Sequence, residues 1–370
     1  MNLAGTSLKP RILLVPLDWG LGHATRCIPL IHALLSEGCE VFLGAEGPIK
    51  TLLQLEFPEI SFVAFEGYEV RYSESKWSLP LVLGAQIPKI LAAIKYENEL
   101  LAELVNQLGI NAVISDNRYG LYHPEITSII MTHQLRIRTG MGSIADDLLQ
   151  DLHYSYIRRF NECWVPDLRE EPNLSGQLSH PDKLPDIPVN YIGPLSRFSS
   201  HEGVEEKHLL ILLSGPEPQR TLFENMMTVQ LEKYTGPVVF VRGLPGETEQ
   251  LRLPGNVTAY NHLPSGALGD MIRQASLVIA RSGYSTVMDL VRLKKKSILI
   301  PTPAQTEQEY LGQHLMESNF ALSILQDHFR LMPALELASN FPYQFRDFSD
   351  ENLLIKTVKE MINGINVNHK

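Results

Sequence analysis

The sequence predicts an α/β protein made of two Rossmann-like domains with a cleft between them. Short apolar runs typical of buried strands alternate with helical patterns along most of the 370 residues, which favours parallel sheets covered by helices. Polar stretches interrupt this alternation near the middle of the chain, and it then resumes. Each half begins with a strand followed by a glycine-containing loop. Ligands of doubly wound folds bind at such loops, along the carboxyl edge of the sheet.

Thirteen apolar runs carry the strand prediction. They are RILLVPL (11–17), EVFLGA (40–45), SFVAF (61–65), NAVIS (111–115), SIIMT (128–132), CWV (163–165), VNYIG (189–193), HLLILLS (208–214), GPVVFVRG (236–243), NVTAY (256–260), ASLVIA (275–280), KSILIP (296–301) and ALSIL (321–325). Most are separated by segments with helical periodicity, so we expect the strands to pair in parallel.

The domain boundary is predicted from two polar stretches, 167–188 and 196–207, where periodicity is lost and prolines accumulate. We assign residues 1–195 to a first domain and residues 196–345 to a second. Residues 346–370 contain an amphipathic helical pattern and form a C-terminal helix.

Composition excludes some classes of function. The net charge of −10 argues against a surface for nucleic acid, which is normally basic. The three cysteines have no metal-type spacing, and no run reaches the roughly 18 apolar residues of a membrane span. We therefore expect reduced cysteines and a cytoplasmic protein.

The stretch PLDWGLGHATRCIPL (16–30) predicts a strand, a glycine loop and the start of a helix. Backbone N–H groups and the helix dipole of such a loop favour a phosphate or a developing negative charge. The loop matches neither a dinucleotide fingerprint, because Thr25 stands at the third glycine position, nor a Walker loop. His23 lies at the mouth of this crevice; the simpler interpretation is a tight turn with a surface histidine.

A second loop, RSGYST (281–286), follows a predicted buried strand and opens a helix. Ser282, Ser285 and Asp289 share one face of that helix, which suits a nucleoside diphosphate with a carboxylate for ribose hydroxyls. Further on, Glu307, Gln308 and Glu309 begin another helix, where amide and carboxylate groups can meet sugar hydroxyls. The alternative interpretation is that these polar residues only cap their helices, which would explain each of them separately without a ligand.

These motifs resemble the C-terminal domain of family 28 glycosyltransferases, which include the peptidoglycan N-acetylglucosaminyltransferase and the plant galactolipid synthases. The resemblance implies a GT-B type fold with a UDP-sugar in the interdomain cleft and a C-terminal helix that returns to the first domain. It is strongest over residues 210–314. The residues that it assigns to the donor are Gly22, Arg197, Ser214, Gly215, Leu263, Arg281, Ser282, Gly283, Ser285, Thr286, Asp289, Gln308 and Glu309.

Shorter segments extend the resemblance. YIGPLSRF maps Arg197 onto a phosphate-contacting arginine, LLSGPEPQR places Ser214 and Gly215 nearest the diphosphate, and NHLPSGALGDMI places the uracil near Leu263. MTHQL lies where the family has an acceptor-side loop, which implies acceptor-side roles for His133 and Gln134. The first loop has fewer glycines than the family pattern, and the ribose acid is Asp289 where the family has Glu.

GHATRC (22–27) is also similar to the signature of UDP-sugar hydrolases of the pseudaminic acid pathway, which use water as acceptor. A nucleotide-sugar hydrolase is therefore the alternative to a transferase. An epimerase, and a degenerate protein that only binds a nucleotide sugar, are further alternatives. Assays distinguish the four: a hydrolase releases UDP with water alone, and a transferase releases it only with an acceptor. An epimerase converts the sugar without releasing nucleotide, and a binding protein shows no turnover.

Inverting glycosyl transfer needs a base for the attacking hydroxyl, and His23 is the candidate. Asp116 ends the predicted strand NAVIS, and the ends of parallel strands share one edge of the sheet, so it is the candidate to orient His23. Related glycosyltransferases of this fold use such a His–Asp pair. The alternative is structural: His23 bonds the loop backbone and Asp116 caps a turn.

We expect no cofactor and no metal ligands, since the chain has no Asp-x-Asp pair and no cluster with metal spacing. Activity is therefore expected in EDTA. The expected partners are the nucleotide sugar and an unidentified acceptor. The apolar stretch 78–97, with Lys89 and Lys95, is consistent with a lipid-linked acceptor at the inner face of a membrane, or with a core helix after a proline loop.

Overall fold

The computed structural model describes residues 9–67, 79–138, 142–199, 204–249, 251–346, 348 and 351–368. Two parallel sheets with helices on their faces confirm the predicted α/β class, and the predicted runs form the strands. Each sheet is doubly wound, because its first strand lies inside the sheet and later strands are added on both sides of it.

The first sheet has the order β3-β2-β1-β4-β5-β6-β7. Its strands are β1 (Arg11–Pro16), β2 (Glu40–Gly44), β3 (Ser61–Val63), β4 (Ala112–Asp116), β5 (Thr127–Met131), β6 (Glu162–Val165) and β7 (Val189–Tyr191). The helices that accompany it are α1 (Leu21–Ser36), α2 (Gly47–Glu56), α3 (Leu79–Leu108) and α4 (Ser143–Ile157). Side chains of β1 alternate between two apolar clusters: Ile12 and Leu14 face one, Leu13 and Val15 the other.

The second sheet has the order β10-β9-β8-β11-β12-β13. Its strands are β8 (His208–Leu212), β9 (Val238–Val241), β10 (Val257–Tyr260), β11 (Ala275–Ala280), β12 (Ser297–Leu299) and β13 (Leu322–Ser323). Its helices are α5 (Gln219–Leu231), α6 (Ser265–Arg273), α7 (Tyr284–Arg292), α8 (Thr306–Glu317) and α9 (Leu331–Asn340), and α10 (Glu351–Asn368) follows them.

The polar stretch 167–188 connects two strands of the first sheet, because β7, which follows it, pairs with β6. Its backbone is held by the buried carboxylate of Asp167, which accepts N–H groups of Leu174 and Ser175 at 2.9–3.2 Å. Local side-chain bonds thus replace regular structure, which explains why the composition resembles a linker.

The two halves pack closely. Helix α1 of the first half contacts α7 of the second, and one apolar cluster runs through both. Helix α10 packs on α1 through Val358, Met361 and Ile365, and Lys359 lies 3.5 Å from Glu37 at the end of α1. The C-terminal helix therefore contacts the first half of the chain.

Helix α3 covers most of the stretch 78–97, which was predicted either to meet a membrane or to form a core helix. It runs without a break from Leu79 through Pro88 to Leu108. Ser78 and the side chains of 79–87 lie outside the described residues. From there on Ile94 and Leu101 are buried, whereas Leu91 and Tyr96 are each 48% exposed. Among the described helices, none is long and apolar enough to cross a membrane.

Candidate active site

His23 lies in the first turn of α1, directly above the carboxyl edge of the first sheet. The loop from β1 reaches α1 through Gly20, whose φ of +140° favours glycine. The neighbouring strands β1 and β4 place Pro16 beside Asp116 in register. Since β1 is flanked by β2 on one side and β4 on the other, His23 and Asp116 meet at the switch point of the sheet.

His23 and Asp116 form a hydrogen-bonded pair. The Nδ1 atom of His23 lies 3.0 Å from Oδ2 of Asp116, although 93 residues separate them in sequence. The Asp116 side chain is fully buried and that of His23 is 17% exposed. A carboxylate that accepts the Nδ1 proton leaves Nε2 as the free basic nitrogen.

Arg26 joins this pair from the next turn of α1. Its Nε donates to Oδ2 of Asp116 at 3.0 Å, and its Nη2 donates to Oδ1, so the contact is bidentate. The side chains of Arg26 and Asp116 are 2% and 0% exposed. The sequence interpretation missed Arg26 as a site residue, although an arginine three positions after His23 on a helix with an apolar face was a signal for it.

Burial and these charges set the protonation of the pair. Burial lowers the pKa of His23 below its ordinary value of 6.5, and the Arg26 charge lowers it further, against the opposing effect of Asp116. Burial alone would raise the pKa of Asp116, but Arg26 and His23 outweigh it and lower that pKa to about 2. At neutral pH the pair is a neutral imidazole beside a carboxylate.

His133 follows β5 and links Arg26 to the other half of the chain. Its Nδ1 lies 3.0 Å from Nη1 of Arg26, and its Nε2 lies 2.8 Å from Oε1 of Glu307 on α8. The His133 ring also stacks on Tyr284 of α7, with ring centroids 4.4 Å apart. His133 therefore contacts both halves of the molecule. Gln134, its partly buried neighbour, accepts a hydrogen bond from His153 at its backbone carbonyl.

The two glycine-containing loops face each other directly. Oγ of Ser285, in the first turn of α7, donates to the carbonyl of Gly22 at 2.7 Å. A Cβ on Gly22 would lie 3.1 Å from that Oγ, a tight contact that glycine avoids. The start of α7 thus lies across the cleft from His23, where a diphosphate at the α7 N-terminus would be close to the base.

Asp289 and Arg197 contact each other inside the second half. Oδ1 of Asp289 accepts from Oγ of Ser196 at 2.8 Å, and Oδ2 lies 3.6 Å from Nε of Arg197. Both side chains are more than nine-tenths buried. Burial raises the pKa of Asp289 although the Arg197 charge opposes it. Asp289 is predicted to bind ribose and Arg197 to bind phosphate. Each would have to make that contact while its polar atoms also take part in the contact between the two side chains.

Arg281, Ser282, Gln308 and Glu309 support the loops of the second half. Arg281 is buried over Phe223 and donates to backbone carbonyls of residues 219, 300 and 301. Ser282 donates to the carbonyl of Gln308, whose Oε1 accepts from the N–H of Thr302 at 2.9 Å. Oε1 of Glu309 accepts from the N–H of residue 304. These bonds hold the RSGYST loop against α8. The contacts of these four residues with the donor stay predictions.

The other predicted donor residues lie along the same edge of the second sheet. Gly283 is the N-cap of α7, with Thr286 in its first turn. Ser214 and Gly215 follow β8, which neighbours β11 in the sheet. Leu263 is partly buried two residues before Ser265, whose backbone N–H donates to Glu56 of the first half at 2.9 Å. Within the described ranges, no group of three or more His, Cys, Asp and Glu side chains is placed to hold a metal ion.

Comparisons with known proteins agree with this architecture. Residues 249–340 match the model of the glycosyltransferase family 28 C-terminal domain. An uncharacterized glycosyltransferase of Methanosarcina acetivorans is 23% identical over 318 residues, which cover 78% of this chain and 79% of that relative. The UDP-N-acetylglucosamine–N-acetylmuramyl-(pentapeptide) pyrophosphoryl-undecaprenol N-acetylglucosamine transferase of Desulforudis audaxviator is 34% identical over 144 residues, 34% of this chain and 37% of that enzyme.

Solved structures show the same fold. The glycosyltransferase of kitacinnamycin superimposes with a TM-score of 0.62 at 15% identity, covering 96% of both chains. The spinosyn rhamnosyltransferase gives a TM-score of 0.59 at 15% identity, again over 96% of both chains. The fold, the matched domain and the named relatives define this chain as a glycosyltransferase of the GT-B fold. Its second half carries a C-terminal domain of the family 28 type, which confirms the resemblance predicted from RSGYST and its flanking segments.

Proposed function

We propose that this glycosyltransferase moves a sugar from a UDP-linked donor to an acceptor hydroxyl with inversion, without a metal ion, and with His23 as general base. The observation that carries the proposal is the buried His23–Asp116 pair, which faces the start of α7 across the cleft. A neutral imidazole whose Nδ1–H is held by a carboxylate has its Nε2 available for a proton.

In the proposed step, Nε2 of His23 takes the proton of the acceptor hydroxyl as its oxygen bonds to the anomeric carbon. The bond from that carbon to the β-phosphate oxygen breaks, and the diphosphate leaves with the electron pair. Asp116 stabilises the imidazolium that forms. Backbone N–H groups at the start of α7 and the side chain of Arg197 supply positive charge for the departing diphosphate.

The UDP-linked donor is inferred from the second half. The matched peptidoglycan enzyme is named for a UDP-N-acetylglucosamine donor, and its similarity covers 144 residues of this chain. A structure of the spinosyn rhamnosyltransferase contains thymidine diphosphate, so a thymidine-linked sugar is the nearest competing donor. Neither similarity identifies the sugar.

UDP should stabilise the wild-type chain in EDTA, and Asp289→Asn should reduce that stabilisation. At about 100 times its dissociation constant, UDP adds roughly 2.7 kcal/mol to the free energy of unfolding, which a thermal-shift measurement resolves easily. The asparagine keeps the shape of Asp289 but weakens hydrogen bonds from ribose hydroxyls. UDP, TDP, GDP and CMP should be compared.

The matched control is Asp270→Asn, at an exposed aspartate paired with Arg273 on α6. It should leave the UDP shift unchanged. If no nucleotide shifts the melting temperature, the proposed donor site is contradicted. A shift with TDP alone would make thymine, not uracil, the nucleobase of the donor. A requirement for divalent metal would contradict metal independence.

A lipid-linked acceptor is the second part of the proposal, and an exposed apolar surface on α3 and α4 supports it. Leu91 and Tyr96 of α3 are each 48% exposed, and on α4 Leu148 and Leu152 are 72% and 52% exposed. Ile90 and Ala93 of α3 and Tyr156 of α4 pack against the same small apolar cluster, formed by Leu17 and Ile94. Such a surface suits peripheral contact with the cytoplasmic face of a membrane.

The wild-type chain should float with vesicles that contain anionic phosphatidylglycerol. The double variant Leu148→Ser/Leu152→Ser should reduce the floated fraction, because each serine removes apolar area that the membrane would otherwise bury. Leu337→Ser is the control: Leu337 is 57% exposed on α9 in the other half. Full recovery of the wild type in the unbound fraction would exclude this acceptor surface.

A nucleotide-sugar hydrolase is the second candidate function. The observation that favours it is that Arg26, the arginine of the GHATRC motif, is bonded into the His23–Asp116 pair. Release of UDP at the same rate with and without acceptors would establish the hydrolase. The same base would then activate water.

A further inference from the structure

Five side chains form one hydrogen-bonded chain that crosses the cleft. It runs from Glu307 on α8 through His133, Arg26 and Asp116 to His23, with successive N···O or N···N distances of 2.8 Å, 3.0 Å, 3.0 Å and 3.0 Å. The three central side chains are at least 94% buried. Glu307 belongs to the second half of the molecule and the other four to the first.

The chemistry of the groups allows one direction of hydrogen bonding. Carboxylates accept only and a guanidinium donates only. Glu307 therefore requires a proton on Nε2 of His133, and Arg26 requires a lone pair on Nδ1 of the same ring. A neutral His133 in a single tautomer satisfies both.

The same reasoning continues from Arg26. Its Nε and Nη2 donate to the two oxygens of Asp116, and Asp116 then accepts the Nδ1 proton of His23. The approach of Nη2 of Arg26 to Nδ1 of His23, 2.9 Å, is between two N–H groups that both donate to Asp116. Glu307 and Arg26 thus set the tautomer of His133, Asp116 sets that of His23, and Arg26 links the two rings by donating to both His133 and Asp116.

We propose that Glu307 is a positioning residue through which closure of the two halves prepares the base: it fixes the tautomer of His133, which holds Arg26 on Asp116 and so orients His23. This rests on the proposed function of His23. When the halves separate, His133 loses both Glu307 and the stacked Tyr284. The ring then has no acceptor for its Nε2 proton and is held through Nδ1 by Arg26 alone, so its orientation and that of Arg26 are less restricted.

The charge of Glu307 agrees with this role. Burial would raise the pKa of Glu307, but His133, Arg26 and His23 together lower it below its ordinary value of 4.5, so the group is a carboxylate at neutral pH. The groups that act on His23 are Arg26 from α1, Asp116 from β4 and His133 from the loop after β5. His133, Arg26 and His23, the groups that act on Glu307, all belong to the first half.

The first test is ¹⁵N NMR of the full chain labelled at histidine, because nitrogen chemical shifts distinguish protonated from unprotonated ring nitrogens. His133→Gln and His23→Gln assign the two rings. Wild type should show His133 protonated at Nε2 and His23 protonated at Nδ1. Glu307→Ala should give exchange-averaged His133 signals and move the His23 signals, and Glu307→Gln, which keeps an acceptor, should restore most of the wild-type pattern.

The matched control is Glu317→Ala, on the exposed end of the same helix. Its histidine spectrum should match that of the wild type. Unchanged His133 and His23 signals in Glu307→Ala would overturn the proposal. This arm needs no substrate, so it gives a result even if nucleotide-sugar turnover is never found and the proposed function fails.

The second test separates positioning from binding of the sugar. Glu307→Ala should lower kcat on the order of tenfold, with KM for the nucleotide sugar changed by less than about twofold, because misplacement of a base affects the chemical step. A raised KM with unchanged kcat would make Glu307 a sugar contact and overturn the proposal.

Discussion

Replacing His23 with alanine should lower turnover of the nucleotide sugar by about 10²–10⁴-fold, the ordinary contribution of a general base. The imidazole is the basic group held at the carboxyl edge of the first sheet by Asp116. Binding of UDP should persist, since the proposed diphosphate contacts come from the second half. UDP release and the UDP thermal shift measure the two effects separately.

His32→Ala is the control for this substitution. His32 is exposed on the same helix, where its ring packs against Phe57 at a centroid distance of 5.0 Å. It should retain wild-type turnover. Near-normal turnover in His23→Ala would remove His23 from the catalytic role and leave the pair with Asp116 as a structural contact.

The pH dependence of the wild type gives a further check on His23. Burial lowers its pKa below 6.5, so the neutral, basic form dominates at pH 7. The value of kcat/KM should therefore be on its plateau at neutral pH and fall only as the pH drops through that lowered pKa. An acidic limb above pH 6.5 would contradict the assignment.

Arg26→Leu should destabilise the fold by about 3–5 kcal/mol, because it leaves the buried carboxylate of Asp116 without its ion-pair partner. Both side chains are at least 98% buried, so little solvent can replace the guanidinium. Urea unfolding at pH 7.5 measures the loss. Arg26→Leu/Asp116→Leu should recover most of it, since removing both charges leaves no unpaired group.

Lowering the pH should reduce the difference in the free energy of unfolding between Arg26→Leu and the wild type. In the wild type the pKa of Asp116 is lowered from 3.8 to about 2, so the stability that it contributes is present above pH 3.8 and is lost only as the pH falls through about 2. Without Arg26, burial raises that pKa, and protonation at mildly acidic pH relieves the unpaired charge.

Arg11→Leu is the matched control for the loss of an arginine. Arg11 pairs with Glu40 at 2.8 Å on the surface, with both side chains 45% exposed. Such exposed pairs contribute about 0–1 kcal/mol. A loss in Arg26→Leu no larger than that in Arg11→Leu would show that the Arg26–Asp116 contact is not a buried ion pair in solution.

Much of the active-site framework was predictable because it depends on local patterns. An apolar run followed by a glycine loop and a helix places His23 at a strand end, and NAVIS places Asp116 at another. Parallel strands share their carboxyl edge, so the sequence places both residues along one edge, and the pairing of β1 with β4 in the structure brings them within 3.0 Å. Whether His23 acts as a base remains a prediction.

Sequence composition does not show which group a polar side chain or a polar stretch of backbone is bonded to. The stretch 167–188 resembles a linker, yet the buried Asp167 satisfies its backbone and β7 completes the first sheet. Similarly, Asp289 accepts from Ser196 and lies beside Arg197 in the structure, and its predicted contact with ribose stays a prediction. Polar side chains at a strand end suit a ligand and a neighbouring loop equally well.

The sequence by itself determined the two doubly wound halves, their order and the chemical type of each loop, because strand and helix patterns depend on neighbours within a few residues. Only the tertiary structure decided that Arg26 is paired with Asp116 and that Glu307 reaches His133, 174 residues away. The first contact depends on how α1 packs on the first sheet, and the second on how the two halves approach across the cleft. Local periodicity contains no information about that approach, since it is set by the packing of α1 against α7 and α10.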